Sequence, residues 1–131
     1  MKKTRIITYG TYDVFHTGHL RLLKRLSEMC DTLIVGVATD EFISTKGKNV
    51  VIPYQQRAEI VKAISYVDIV IAENSREQIP HDIKKHNIDI FAMGSDWQGE
   101  FDYLENLCQV LYLPRTEGIS STAIKSFIAN A

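Results

Sequence analysis

The strongest chemical signal in this 131-residue chain is the segment GTYDVFHTGH at positions 10–19, which ends in His16-x-Gly18-His19. A short apolar run precedes it and helical periodicity follows, so the two histidines fall where a loop becomes a helix. A helix start carries unpaired backbone N–H groups and the positive end of the helix dipole, which together favour an anion. Gly18 has no side chain to keep a phosphate away from the backbone. Imidazoles one helical turn apart can aim N–H donors at the same phosphate oxygens. Asp13, three residues before His16, can orient a donor or help to hold a phosphate-bound metal. Two histidines at this spacing can also ligate zinc or sit idle on a surface, but no third zinc ligand stands at a telling distance in the chain.

A second cluster, Arg115-Thr116-Glu117-Gly118-Ile119-Ser120-Ser121-Thr122, lies between an apolar run and a final helical pattern. Arg115 offers a planar set of donors suited to phosphate, and Gly118 permits a tight turn. Ser120, Ser121 and Thr122 place hydroxyls at a helix start, where they serve equally as an ordinary cap. Two helix-start anion sites at one edge of a sheet can grip a polyphosphate between them. Lys46, Lys48 and Arg57 form a third, basic group, pointing to a second phosphate-bearing substrate. The fourth is Gly94-Ser95-Asp96-Trp97, where the only tryptophan can wall a base or acceptor pocket and Asp96 can accept a hydrogen bond.

These residues need a scaffold that brings loop ends together. Apolar runs at 4–9, 32–38, 66–71, 88–93 and 110–113 are short and rich in β-branched residues, as buried parallel strands are. Helical patterns alternate with them. Leu20, Leu23, Leu26 and Cys30 mark one face of 18–30; Ala58, Val61 and Ile64 follow Pro53; a short pattern runs over 79–86; and Ile124, Phe127 and Ile128 share a side of 120–130. Strand alternating with helix predicts an α/β fold, a five-stranded parallel sheet with helices on both faces. Ligands then bind beyond the carboxyl ends of the strands. The stretch from Asp40 to Ile52 shows no clear period and reads as a long connection, a candidate lid or binding loop.

The length suits one domain spanning residues 1–131. Fifteen Lys and Arg against sixteen Asp and Glu give a formal net charge of −1, which argues against a bulk nucleic-acid or membrane-surface binder. No segment approaches the ~20 apolar residues of a membrane span, and the basic start lacks the apolar stretch of a secretion signal. Cys30 and Cys108 match no metal or redox spacing and read as reduced thiols of a cytoplasmic protein.

The sequence resembles the cytidylyltransferases of the HxGH nucleotidyltransferase superfamily, in particular those acting on glycerol 3-phosphate. The resemblance runs through GTYDVFHTGH at 10–19, TDEF at 39–42, YVD at 66–68, MGSDW at 93–97 and LPRTEGIS at 113–120. It implies a Rossmann-like homodimer that converts CTP and sn-glycerol 3-phosphate to CDP-glycerol and pyrophosphate for teichoic-acid or capsule polymers, with Mg²⁺ carried by the CTP triphosphate. It implies that His16, Thr17, Gly18 and His19 contact the CTP phosphates and that Thr11, Tyr12, Lys48, Asp96 and residues 115–122 complete the CTP site. Asp13, Lys46 and Arg115 join the histidines in catalysis, and Lys46, Arg57 and Trp97 face the acceptor. Where relatives can carry an acceptor-contacting lysine, this chain has Ile79-Pro80. Arg76 or Lys84 can compensate, or the acceptor is another polyol phosphate. Other readings are a cytidylyltransferase for an amino-alcohol phosphate, an adenylyltransferase, and a non-catalytic nucleotide sensor. No role is assigned to Lys125.

Overall fold

The computed structural model describes residues 3–114 and 121–130. Five strands, β1 (Arg5–Gly10), β2 (Thr32–Ala38), β3 (Ile69–Glu73), β4 (Ile90–Gly94) and β5 (Gln109–Leu113), form one parallel sheet in the order β3-β2-β1-β4-β5. The helices are α1 (Thr17–Ser27), α2 (Asp40–Thr45), α3 (Tyr54–Ala63), α4 (Ile79–Lys85) and α5 (Ser121–Asn130). Successive strand residues point to opposite faces. Ile6, Leu33, Val35 and Val37 therefore pack with Leu23 and Leu26 of α1 and Val61 of α3. Ile7, Ile34 and Phe91 turn to the other side, against Ile79 and Ile83 of α4. Both faces are covered, as the doubly apolar strands require.

Strand order reverses at β1, and there the sheet opens. β1 keeps register with β2 from Arg5↔Thr32 to Gly10↔Val37, but pairs with β4 only at Ile6↔Ile90 and Ile7↔Phe91. Beyond Ile7 the carboxyl ends of β1 and β4 border a crevice, the usual ligand position in such sheets.

Two expectations change. The stretch 40–52 begins with a helix: the Thr39 hydroxyl accepts the Phe42 amide at 3.1 Å, and Phe42 and Ile43 are buried beside Ala38. Six residues with two adjacent apolar positions are too few to show a period. The third strand runs Ile69–Glu73 rather than 66–71, which puts Glu73 at its carboxyl end. On α5, Ile124 is half-buried while Phe127 and Ile128 are exposed. Cys30 and Cys108 are both free. Among the described residues no helix is long and apolar enough to cross a membrane.

Candidate active site

The loop between β1 and α1 takes an uncommon path. Tyr12 and Val14 have φ of 55° and 51°, a left-handed conformation costly for non-glycine residues and hardest for a β-branched one. Such a path persists only when its surroundings fix it. The Tyr12 ring is buried and lies against Gly10, where an added Cβ would come within 2.8 Å of it. The Asp13 carboxylate, 2% exposed, accepts the amides of Val51 at 2.8 Å and Ile52 at 2.9 Å. It also pairs with Lys125 of α5 at 2.5 Å. Burial works against its charge, but Lys125 and the two amides outweigh that and hold the carboxyl below its ordinary range.

The loop delivers His16 and His19 as a locked pair. Nδ1 of His16 accepts the Gly18 amide at 3.0 Å, and Nδ1 of His19 accepts the His16 amide at 3.2 Å. A neutral imidazole that accepts at Nδ1 carries its proton on Nε2. Both rings thus cap the helix with one nitrogen and keep an N–H donor on the other. They stack with centroids 4.0 Å apart, and both line the cleft. Burial lowers the His16 pKa. Burial, then the neighbouring His16, brings His19 to about 4 against the opposing pull of Asp13. The pair is therefore uncharged at neutral pH.

A stability consequence follows for His19. Its folded-state pKa of about 4 lies below the ordinary 6.5, so between those values the unfolded chain binds the extra proton. Its contribution is complete above about pH 6.5 and is lost as pH falls towards 4, by roughly 3 kcal/mol at full extent. Urea midpoints of the parent and His19→Gln, compared at pH 7.5 and 5, should converge in acid. Parallel pH dependence would place the titration elsewhere.

The cleft has a volume of about 390 Å³ and lies over the carboxyl ends of β1 and β4. Thr11, Tyr12, Asp13, His16, Gly18, His19, Lys48, Asp96 and Trp97 all line it, as the sequence suggests. Thr17 opens α1 with its side chain exposed, outside that lining. A smaller cavity of about 200 Å³ adjoins it and shares the wall of Tyr9, Gly10, Thr11, Met93 and Trp97. Lys46, Glu73, Arg76 and Phe101 line only this second space, whereas Lys84 lines neither. Residues 115–120 lie outside the described residues, as do the side chains of Ser121 and Thr122. Arg25, which lines the cleft, donates to the Pro114 carbonyl at 2.8 Å, bringing the chain before Arg115 to the cleft.

Arg57 corrects an expectation. It is wholly buried and lines neither cavity. Nε donates to the Ile52 carbonyl, Nη1 to those of Thr11 and Ala38, and Nη2 to Asp40, at 2.6–2.8 Å. A guanidinium engaged this way is a strut that fixes the loop after β1, not the cavity-facing side chain expected from the sequence. Lys125, unassigned from sequence, turns out to border the cleft. Its partner Asp13 is remote in the chain, so no local spacing points to it. Glu73 was also missed, although a charged residue at the carboxyl end of a strand is a recognisable pointer to a site.

Among the described residues no group of three or more His, Cys, Asp or Glu is placed to hold an ion. The Asp13 oxygens, which border the cleft, are engaged by two amides and an ammonium.

The chain has counterparts among known proteins. Residues 7–127 match the family model described as cytidylyltransferase-like. A glycerol-3-phosphate cytidylyltransferase of Bacillus subtilis is 52% identical over 129 residues, covering 98% of both chains. One of Staphylococcus aureus is 52% identical over 121 residues, 92% of each chain. The fold is shared with a lipopolysaccharide core biosynthesis protein of Thermoplasma volcanium, at a TM-score of 0.79 and 20% identity, over 88% of this chain and 100% of that one. A match running from β1 into α5, with half of all positions kept in relatives of the same length, means that the chain belongs to the cytidylyltransferase-like family, a family of nucleotidyltransferases.

Proposed function

We propose that this protein transfers a cytidylyl group from CTP to sn-glycerol 3-phosphate, giving CDP-glycerol and pyrophosphate for teichoic-acid or capsule-type polymers. The observation that carries the reading is the pair of adjoining cavities: the larger lined by the two histidines and Lys48, the smaller by Lys46, with a common wall at Gly10 and Thr11. Relatives named for this activity match almost end to end.

In the proposed reaction an oxygen of the acceptor phosphate attacks the α-phosphorus of CTP. The bond from that phosphorus to the oxygen bridging to the β-phosphate breaks, and pyrophosphate leaves with the electron pair. A phosphate monoester loses its second proton near pH 6, so the nucleophile is already a dianion at neutral pH. No general base is required. The difficulty is to hold two anions together and to stabilise the charge that moves onto the leaving group, so positioning and electrostatics dominate. The Nε2–H donors of His16 and His19 serve the triphosphate, with Arg115 and residues 116–122 as further ligands of the nucleotide. Lys46 meets the acceptor phosphate beside Trp97. The Mg²⁺ expected with CTP would be carried by the nucleotide rather than by a carboxylate cluster of this chain, and would supply charge neutralisation at the triphosphate. We further propose a cytoplasmic homodimer, the setting in which CTP and a polyol phosphate are both at hand.

A panel of nucleoside triphosphates and acceptors, read by pyrophosphate release, tests the reading. CTP with glycerol 3-phosphate should give the highest kcat/KM. Lys46→Ala should raise KM for glycerol 3-phosphate by roughly tenfold or more while leaving KM for CTP within about twofold. CTP binding without turnover of any acceptor would make the protein a sensor rather than an enzyme.

A further inference from the structure

We propose that Arg76 is the acceptor-selecting residue: with Lys46 it grips the acceptor phosphate, and by covering Trp97 and Phe101 it closes the smaller cavity to ammonium-bearing acceptors, leaving Glu73 to bind the hydroxyls of a neutral polyol. The inference rests on the function proposed above and specifies its acceptor.

The geometry of the smaller cavity supports this. The Arg76 guanidinium lies 4.8 Å from the centroid of the Trp97 ring and 5.0 Å from that of Phe101. Aromatic faces gathered round a space are what recognises quaternary ammonium groups. Here the protein's own cation already occupies those faces, so an amino-alcohol phosphate finds no free ring for its ammonium end. The seated guanidinium has a restricted orientation and presents a planar donor fork to a phosphate. Lys46, held with its ammonium 4.1 Å from the Phe42 ring centroid, is the other cation lining this cavity.

Glu73 supplies the other end. It is 6% exposed and lines the smaller cavity together with Lys46 and Arg76. Burial raises its pKa to about 7, with Asp82 adding to the rise and Lys46 and Arg76 opposing it. At neutral pH such a carboxyl can donate to a hydroxyl oxygen or accept from a hydroxyl hydrogen. A buried acid at the end of β3 between two cations suits a ligand that brings an anionic phosphate and uncharged hydroxyls.

Steady-state kinetics on Arg76→Leu, Arg76→Lys and Glu73→Leu, with glycerol 3-phosphate and choline phosphate as acceptors, test the assignment. Arg76→Leu should raise KM for glycerol 3-phosphate about 10- to 100-fold, leave KM for CTP within about twofold, and lower the kcat/KM preference for glycerol 3-phosphate over choline phosphate by at least the same factor. Arg76→Lys should recover part of the loss, and Glu73→Leu should raise KM for glycerol 3-phosphate about tenfold or more. Calorimetric titration of glycerol 3-phosphate into the protein alone reads the same Arg76 dependence without turnover. An Arg76→Leu enzyme with unchanged KM and unchanged acceptor preference overturns the assignment while the cytidylyltransferase reading stands. A parent enzyme that uses choline phosphate and no polyol phosphate overturns both.

Discussion

His16→Asn lowers kcat by roughly 10²- to 10³-fold, the usual loss when one donor to a charge-developing transition state is removed, and leaves stability nearly unchanged. The two halves of this result separate the two uses of the ring. Nδ1 accepts the Gly18 amide and so caps α1. Asparagine caps a helix as well as any residue, so its side-chain oxygen can take over that bond. It cannot place a donor where Nε2 lies, one ring-width further into the cleft. His16→Ala loses both functions: kcat falls as far, and stability drops by a further ~1 kcal/mol.

His19→Ala should fall in the same range of kcat and also destabilise the loop, since its Nδ1 is the acceptor for the His16 amide. The double variant should lose little more than either single one, because the stacked rings act on the same triphosphate and residues working as a unit are strongly non-additive. Pyrophosphate release at saturating CTP and acceptor gives kcat, and urea unfolding gives stability. If His16→Asn turns over like the parent, the imidazole is a cap and nothing more.

Much of this site was legible because its parts are local. The apolar strands, the leucines of α1 and the histidines at its start all declare themselves within a few residues. The rule that ligands bind past the carboxyl ends of strands then brings 10–19, 46–48 and 94–97 together. What stayed hidden depends on distant partners. Arg57 is the sharpest case. Its spacing to Val61 and Ile64 puts it on the buried face of α3, a clue available in the sequence. A cation on such a face has two meanings, however, a ligand for a substrate anion or a strut for backbone carbonyls. Only the convergence of Thr11, Ala38 and Ile52 around it decides between them. Lys125 is similar: nothing near it predicts that its ammonium meets Asp13. In α2 the fault is length, since one turn and a half leaves no period to read.

Arg57→Ala therefore destabilises the protein by about 3–5 kcal/mol, because it strips the donors from three backbone carbonyls, at roughly 1–3 kcal/mol for each one left buried and unpaired. Asp40 can rehydrate, being 42% exposed at its side chain. The Ala38 carbonyl cannot easily do so, because Ala38 is 3% exposed, and a buried acceptor left without its donor carries the desolvation cost. Arg57→Lys should rescue little. One ammonium has three donors at a single point, whereas the acceptors here are spread round a planar fork. Of a stability of about 5–15 kcal/mol for an ordinary domain, the alanine variant gives up a large part. Its kinetics should show the cause. Thr11 belongs to the common wall of both cavities, so a loosened strut raises KM for CTP and for the acceptor together and lowers kcat with them. A variant with the parent's urea midpoint and a raised KM for glycerol 3-phosphate alone would return Arg57 to the acceptor site, and the buried-strut account would fail.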